Sequence, residues 1–512
     1  MESSHFVIVG GGTAGWLAAL IIQDAARGKH LHLKISVIES SKIPTIGVGE
    51  GTTAVFRAML QRFGFDELEF LRDTEATIKL GIRHRDWRRV GVTYDGPIDD
   101  PHQALSPPAD APSEYLNVYS VAAGRPVSEM HLFKHLMERR KSPYGRRKDG
   151  SLIPVGPFHY AYHFDQALVG RYLKKKSSDI AEIDGTVAGV EKNPTTGNIN
   201  ALTLEEGGTI AGDFFIDATG FRKRLICLEM GGTWRSYRAE LPVNRALPFW
   251  LDIEEGEEIA PYTHAWAREA GWLWSIPTQK RYGCGYVYSD EFKTPDEARA
   301  EIEAALGRPI EPRNDIRFDV GRLDRAWIGN CLAVGLSSSF LEPLEATSIH
   351  GTVVQMLMFA GGFLRDAAQA TDKQRDDYNS RVAHQVDDFR TFINMHYVSQ
   401  RDDTPFWRFV RNESIHTDTE ARLERWRHEM PRHEHFPQFL GGLPHVEAQL
   451  HYPVLDGLCL LDRRVAKAEL AKLPSMRAFA RKSVDSLVRE YKQASSKALG
   501  HAEYLALARA AG

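Results

Sequence analysis

Six residues near the start of the chain, Gly10-Gly11-Gly12-Thr13-Ala14-Gly15, constrain its fold more than any other stretch. They fit the spacing G-x-G-x-x-G. They lie between a β-rich run, His5-Phe6-Val7-Ile8-Val9, and an apolar segment, Trp16 to Ala26, that reads as a buried helix. Glycines at that spacing let a backbone come close to a pyrophosphate. Gly10 permits the tight turn, Gly12 leaves room for phosphate oxygens, and Gly15 lets the helix pack on the strand. Thr13 and Ala14 complete the loop, and the helix N-terminus then faces the phosphates. Leu31 to Glu39 alternates apolar and polar residues as a second strand, so the chain opens β-α-β. Glu39, at the end of that strand, is placed to accept hydrogen bonds from a ribose.

Composition narrows the class. With 512 residues the chain can bury a large core without disulfide staples. A net charge of −4 gives no electrostatic case for nucleic-acid binding. Hydrophobic residues at 43% and charged residues at 26% exclude wholesale disorder. Cys227, Cys284, Cys331 and Cys459 are scattered, with no C-x-x-C pair. That argues against a zinc ribbon or a secreted disulfide scaffold, and makes a reducing, cytoplasmic compartment the default. Phe6 to Ile22 carries no charge, but a glycine triplet interrupts it, and strand-turn-helix explains it better than a targeting peptide or membrane span. His428-Glu429 and His433-Glu434-His435 invite a metal reading. Their histidines are spaced i, i+5 around Pro431, which does not fit H-E-x-x-H, so no metal is expected.

Further along, residues 97–113 read as a Pro- and Asp-rich loop or lid. Two basic clusters within 139–150 read as a solvated surface loop. Residues 183–217 and 245–290 read as strands, and helical patterns dominate from about 352, with amphipathic stretches near 375–396 and 464–510. With Asp217-Ala218-Thr219-Gly220 resembling an element of FAD-dependent oxidoreductases, the expected fold is α/β: an FAD-binding monooxygenase-like body over 1–365 with a mixed-sheet insert at about 226–320. A helical, substrate-side region follows over 366–512.

Five further motifs carry chemistry. Asp217-Ala218-Thr219-Gly220 follows a strand and is similar to the A-T-G element of FAD-dependent oxidoreductases, which makes FAD the expected dinucleotide. Gly271-Trp272-Leu273-Trp274-Ser275-Ile276-Pro277 fits W-x-W-x-I-P. The run Gly335 to Ile349 contains Glu342-Pro343-Leu344-Glu345-Ala346-Thr347-Ser348. Thr77-Ile78-Lys79-Leu80-Gly81-Ile82 and Ile46-Gly47-Val48-Gly49-Glu50-Gly51-Thr52 complete the set. In their order along the chain, the last four closely resemble the flavin-dependent halogenases of the tryptophan-halogenase family, and the likeness runs from residue 5 to about 412.

The resemblance implies roles, residue by residue. Lys79 stands where the family places its essential lysine, whose ammonium can hold hypohalous acid and whose amine can be halogenated. Glu345 maps onto the catalytic glutamate, with Glu342 as the structural alternative. Thr347 and Ser348 match the stretch that holds halide, chloride or bromide. Trp272 and Trp274 correspond to the pair that walls off the flavin. Val48, Gly49, Val187, Leu344 and Ile349 join Glu39 and the glycine loop around the cofactor. The substrate-side positions are His396, Asp402, Phe406 and Trp407. Met395-His396 replaces the tyrosine pair of tryptophan-specific members, and the segment after Tyr94 departs from theirs, so an indole-type substrate other than free tryptophan is expected. FADH2 is expected from a separate flavin reductase, since no second nucleotide motif is evident, and a homodimer is a family-level expectation. A flavin aromatic hydroxylase on the same fold is the alternative, and a flavin-binding interaction protein without catalysis a third reading. W-x-W-x-I-P and Lys79 argue against the first, Lys79 with Glu345 against the second.

Overall fold

The computed structural model describes residues 4–43, 49–101, 114–156, 159–436, 448–472 and 474–510. Strand β1 (Ser4–Val9) is continuously apolar from Phe6 to Val9, where it is buried on both faces between β2 (Leu33–Glu39) and the strand Phe214–Asp217. Ala181–Asp184 flanks β2, and Cys331–Ala333 followed by Trp327–Ile328 completes six strands. All neighbours pair in parallel except the last two. Helix α1 (Thr13–Gly28) crosses between β1 and β2. It starts three residues before the apolar segment that marked it in the sequence, so Gly15 lies inside the first turn. A Cβ there would stand 1.9 Å from the carbonyl oxygen of Gly10, which is why the position needs glycine.

A second, seven-stranded sheet is ordered Ile316–Arg317, Arg245–Asp252, Arg281–Tyr288, Gly271–Pro277, Thr263–Ala267, Gly81–Arg85, Thr93–Pro97. The sheet thus takes two strands from residues 81–97 as well as those from 245–317. Gly81–Arg85 joins Thr263–Ala267 in parallel, a long-range pairing that local periodicity does not announce. A third sheet sets Ala161–Asp165 between Gly49–Gly51 and Thr77–Lys79. These last two sheets bring Lys79, Gly51 and the Trp272/Trp274 strand into one region.

From Thr347 onward the described chain is almost wholly helical. Thr347–Gly362 has no charged side chain and is buried nearly all round. Asp372–His396 begins with a capping box from Thr371 and Gln374, then dives inward, so that every residue from Asp388 to His396 is buried. That places His396 in the last turn, deep in the molecule. The helices Pro474–Lys497 and His501–Ala510 fold back on N-terminal helices, and one apolar cluster runs from Phe6 to Ala508. No helix of the described residues is long and apolar enough to cross a membrane.

Candidate active site

The C-terminal edge of the parallel sheet opens into a cleft of about 680 Å³ lined by the glycine loop, Glu39, Gly49, Val187, Thr219 and Ser348. This is where an α/β sheet binds a dinucleotide. Gly10 holds φ +115°, and a Cβ there would lie 2.2 Å from the carbonyl oxygen of Ala218, so the two nucleotide motifs touch. At Gly12 a Cβ would meet nothing within 4 Å, so its open side faces the cleft. Helix α1 has no side-chain cap, leaving its first N–H groups for a ligand. Glu39 pairs with Lys174 and accepts from the Trp16 indole at 3.4 Å. Thr13 and Ala14 line the cleft, while Leu344 and Ile349 are buried and do not reach its wall. Val48 lies outside the described residues. The size, the open glycine loop and the acid at the end of β2 fit FAD.

Thr347 and Ser348 open the helix Thr347–Gly362, again without a side-chain cap. Ala346 before them holds φ +55°, a left-handed conformation costing ~1 kcal/mol for a non-glycine residue. It turns the chain so that Ser348 faces the cleft and Thr347 is buried. Trp274 lines the cleft beside Ile276, whereas Trp272 does not. The two rings lie 6.3 Å apart, and Trp272 turns toward Trp87 at 6.0 Å. Its indole N–H donates to Glu342, which also accepts from the Tyr397 hydroxyl at 2.7 Å. Burial pushes the Glu342 carboxyl up to about 7, against these two donors.

Lys79 and Glu345 stand outside the cleft. Lys79 is 3% exposed, and its ammonium donates to the Thr52 carbonyl at 3.0 Å. It lies just behind Gly51, where a Cβ would be 3.3 Å from Nζ, and Gly51 itself lines the cleft. Burial lowers its pKa to about 8, an effect the charge of Glu345 partly offsets. Such an ammonium is mostly charged at neutral pH yet yields a usable fraction of free amine. Glu345 closes the short turn Pro343–Glu345, with its side chain 13% exposed.

The substrate-side residues separate. His396 meets the catalytic region: its Nε2 lies 2.9 Å from Oε1 of Glu345. Phe406 and Trp407 are fully buried in an aromatic cluster. Trp407 lies 5.9 Å from Trp87 and donates to the Arg268 carbonyl, so both rings pack behind the site. Asp402 is exposed, and its carboxylate makes no contact among the described residues. The residues that sequence reasoning missed are His84, Tyr94 and Trp87. His84 stacks on Tyr94 at 4.7 Å and lies 4.0 Å from Glu345. Neither of its ring nitrogens has a hydrogen-bond partner among the described residues. Burial, then the neighbouring His396, His264 and Lys79, hold its pKa well below the usual histidine value, so His84 is neutral. Its only sequence signal was its place on the strand three residues after Lys79-Leu80-Gly81.

Among the described residues, His84, Glu345 and His396 are the three whose ligand atoms converge within 4.8 Å, not the histidines at 428–435. Ligand atoms about 2.0 Å from a tetrahedral zinc sit roughly 3.3 Å apart. The separations of 2.9 and 4.0 Å straddle that spacing and fit a close His396–Glu345 pair with His84 as a bystander better.

Two solved structures cover nearly all of the chain: BrvH, a flavin-dependent halogenase from Brevundimonas sp. BAL3, and Tar14, a tryptophan C-6 flavin-dependent halogenase from taromycin biosynthesis. BrvH superposes with TM-score 0.84 at 28% identity, covering 99% of each chain. Tar14 superposes with TM-score 0.88 at 29% identity, covering 99% of this chain and 100% of its own. The fold is that of the flavin-dependent halogenases. The model of the family described as tryptophan halogenase matches residues 5–448, and the chain belongs to that family. The 7-chloro-L-tryptophan 6-halogenase KtzR of Kutzneria sp. (strain 744) is 32% identical over 502 residues, 91% of this chain and 94% of its own. The chain is an FADH2-dependent halogenase, and the hydroxylase alternative is not favoured.

Proposed function

We propose that this halogenase acts on an indole-type or comparably electron-rich ring other than free tryptophan, with FADH2 supplied by a separate reductase. The observation that carries the reading is the buried Lys79, its ammonium lowered to about 8 and set behind Gly51 just beyond the dinucleotide cleft, with Glu345 nearby. Bound reduced flavin, with oxygen and halide, supplies hypohalous acid. The free N–H groups at Thr347 and Ser348 suit a halide at the cleft. Lys79 holds the oxidant by a hydrogen bond from its ammonium, or carries the halogen on its free amine. Glu345 takes the proton that the substituted ring releases. Holding oxidant and ring together sets the site of attack, where free hypohalous acid would follow ring reactivity alone.

Substrate choice follows from the same walls. Relatives such as KtzR are named for tryptophan. Here Asp402 points to solvent and Met395-His396 occupies the place of the tyrosine pair, so nothing among these residues grips an amino acid's charged amine. His84, Tyr94 and Trp87 build an aromatic wall around Glu345 and His396 instead. The helical region from about 366 supplies the substrate side through His396. The deciding assay is mass spectrometry of indole and of free tryptophan incubated with enzyme, FAD, NADH, a flavin reductase, oxygen and either halide. The expected product is halogenated indole, in excess over halogenated tryptophan and absent in Lys79→Ala. Halogenation undiminished in Lys79→Ala would refute the assignment, and a hydroxylated product would move the reading to the alternative.

A further inference from the structure

The side chain of His396 is fully buried and its contacts fix where its protons are. Nδ1 faces the Phe392 carbonyl at 2.9 Å. A carbonyl only accepts, so Nδ1 carries a hydrogen and donates it. Nε2 of the neutral ring is then a bare lone pair, and it stands 2.9 Å from a carboxylate oxygen of Glu345. Two lone pairs repel at that distance, so one proton belongs to the pair, on Nε2 or on Oε1. The oxygen lies too far off the N–H···O direction for a formed hydrogen bond, as catalytic contacts do before substrate tightens them.

We infer that His396 and Glu345 form a proton-sharing dyad in which His396, a positioning residue, stores the proton that Glu345 exchanges during halogenation. This rests on the halogenase reading of the site. The step balances within the dyad. The π electrons of the ring form the carbon–halogen bond, and the halogen–oxygen pair stays on oxygen. That oxygen takes the dyad's proton and leaves as water. The arenium then gives its proton to Glu345, and the carbon–hydrogen pair restores aromaticity. The dyad ends with the one proton it held at the start, so each turnover returns it ready for the next.

The surroundings isolate that proton. The groups facing His396 are Glu345, Glu342 and His84, with Lys79 and His264 beyond His84. Glu342 is committed to Trp272 and Tyr397, and burial keeps His84 neutral. Phe392 packs its ring 5.0 Å from His396 and Trp87 lies at 6.1 Å, closing the imidazole from water.

The test uses the full-length enzyme in two arms. Nitrogen NMR of imidazole-labelled protein, without flavin or substrate, reads the proton directly, with His396→Gln giving the assignment. The Nε2 signal is expected to be displaced from that of a bare ring nitrogen in the wild type, and to return to it in Glu345→Ala. A bare Nε2 in the wild type would overturn the dyad. In the second arm, His396→Gln keeps a donor toward Glu345 but cannot relay a proton. It is expected to lower kcat about 100-fold or more, with KM little changed, and to remove one ionisation from the pH profile. A wild-type kcat with raised KM would make His396 a substrate wall and overturn the proposal, as would loss of wild-type activity on chelation, which would make the trio a metal site. If the wild type halogenates nothing, the functional reading fails, and the NMR arm alone upholds or overturns the dyad.

Discussion

Replacing Lys79 by methionine should leave the protein more stable and catalytically dead. The ammonium falls from 10.5 to about 8 on burial. At about 1.4 kcal/mol per tenfold change in proton affinity, folding with the charged form costs roughly 3 kcal/mol. The folded protein binds this proton more weakly than the unfolded chain does. The penalty is therefore complete below pH 8, shrinks between pH 8 and 10.5, and is gone above that range. Methionine fills a similar volume without charge. It loses the hydrogen bond to the Thr52 carbonyl, which returns about 1 kcal/mol, so the net gain at pH 7 is about 2 kcal/mol. For 512 residues the unfolding entropy is about 1 kcal/mol per degree, which makes the rise in Tm about 2 °C. Thermal and urea unfolding of both proteins at pH 7, beside a halogenation assay, measure the pair of effects. A variant less stable than the wild type at pH 7 would refute the reasoning. It would mean that Lys79 is held by favourable contacts, and that its burial is not stability given up for function.

Gly12→Ala should fold as the wild type does, because its φ of −75° suits any residue and its Cβ meets no protein atom. It should weaken FAD binding at least tenfold in a flavin-fluorescence titration. Gly10→Ala should instead fail to fold or lose several kcal/mol, since its Cβ would strike the Ala218 carbonyl at φ +115°. Glu342→Gln should gain about 1–2 kcal/mol at pH 8, a gain that shrinks toward pH 5. The buried acid, raised to about 7, is stabilised by protonation as the pH falls, and urea unfolding at the two pH values reads the difference. Ser348→Gly, which frees the backbone at the cleft wall, should change the bromide-to-chloride product ratio in mixed-halide reactions while Lys79-dependent turnover persists. An unchanged ratio would remove Ser348 from the halide site.

The sequence revealed what local chemistry dictates. The glycine loop, the acid at the end of β2 and the D-A-T-G element are short segments whose meaning lies in their own spacing, and the structure sets all three along one cleft. Lys79 was legible only through its surrounding motif, since a lone lysine is ordinarily a surface residue. What stayed hidden depends on long-range pairing. His84 reaches Glu345 because Gly81–Arg85 pairs in parallel with Thr263–Ala267, about 180 positions away. His396 reaches it because a helix that starts in solvent ends in the core. Phe406 and Trp407 show the opposite failure. An aromatic pair in a familiar segment reads as a substrate platform, yet the fold buries both behind Trp87.

The separation of the two sites explains why so much of this chain is spent on scaffold. The cleft must admit a large dinucleotide, so it is open and lined with backbone. A lysine whose pKa is lowered to about 8 needs the reverse, a dry surrounding, and Gly51 both lines the cleft and abuts the ammonium. Glycine there leaves the thinnest partition a polypeptide can make, about the width of its backbone. Gly51→Val would thicken it against an ammonium that a Cβ already approaches to 3.3 Å. Flavin oxidation should then continue while halogenated product falls, which would separate oxidant production from oxidant use in one substitution. Equal loss of both activities would show that Gly51 serves the cofactor cleft alone.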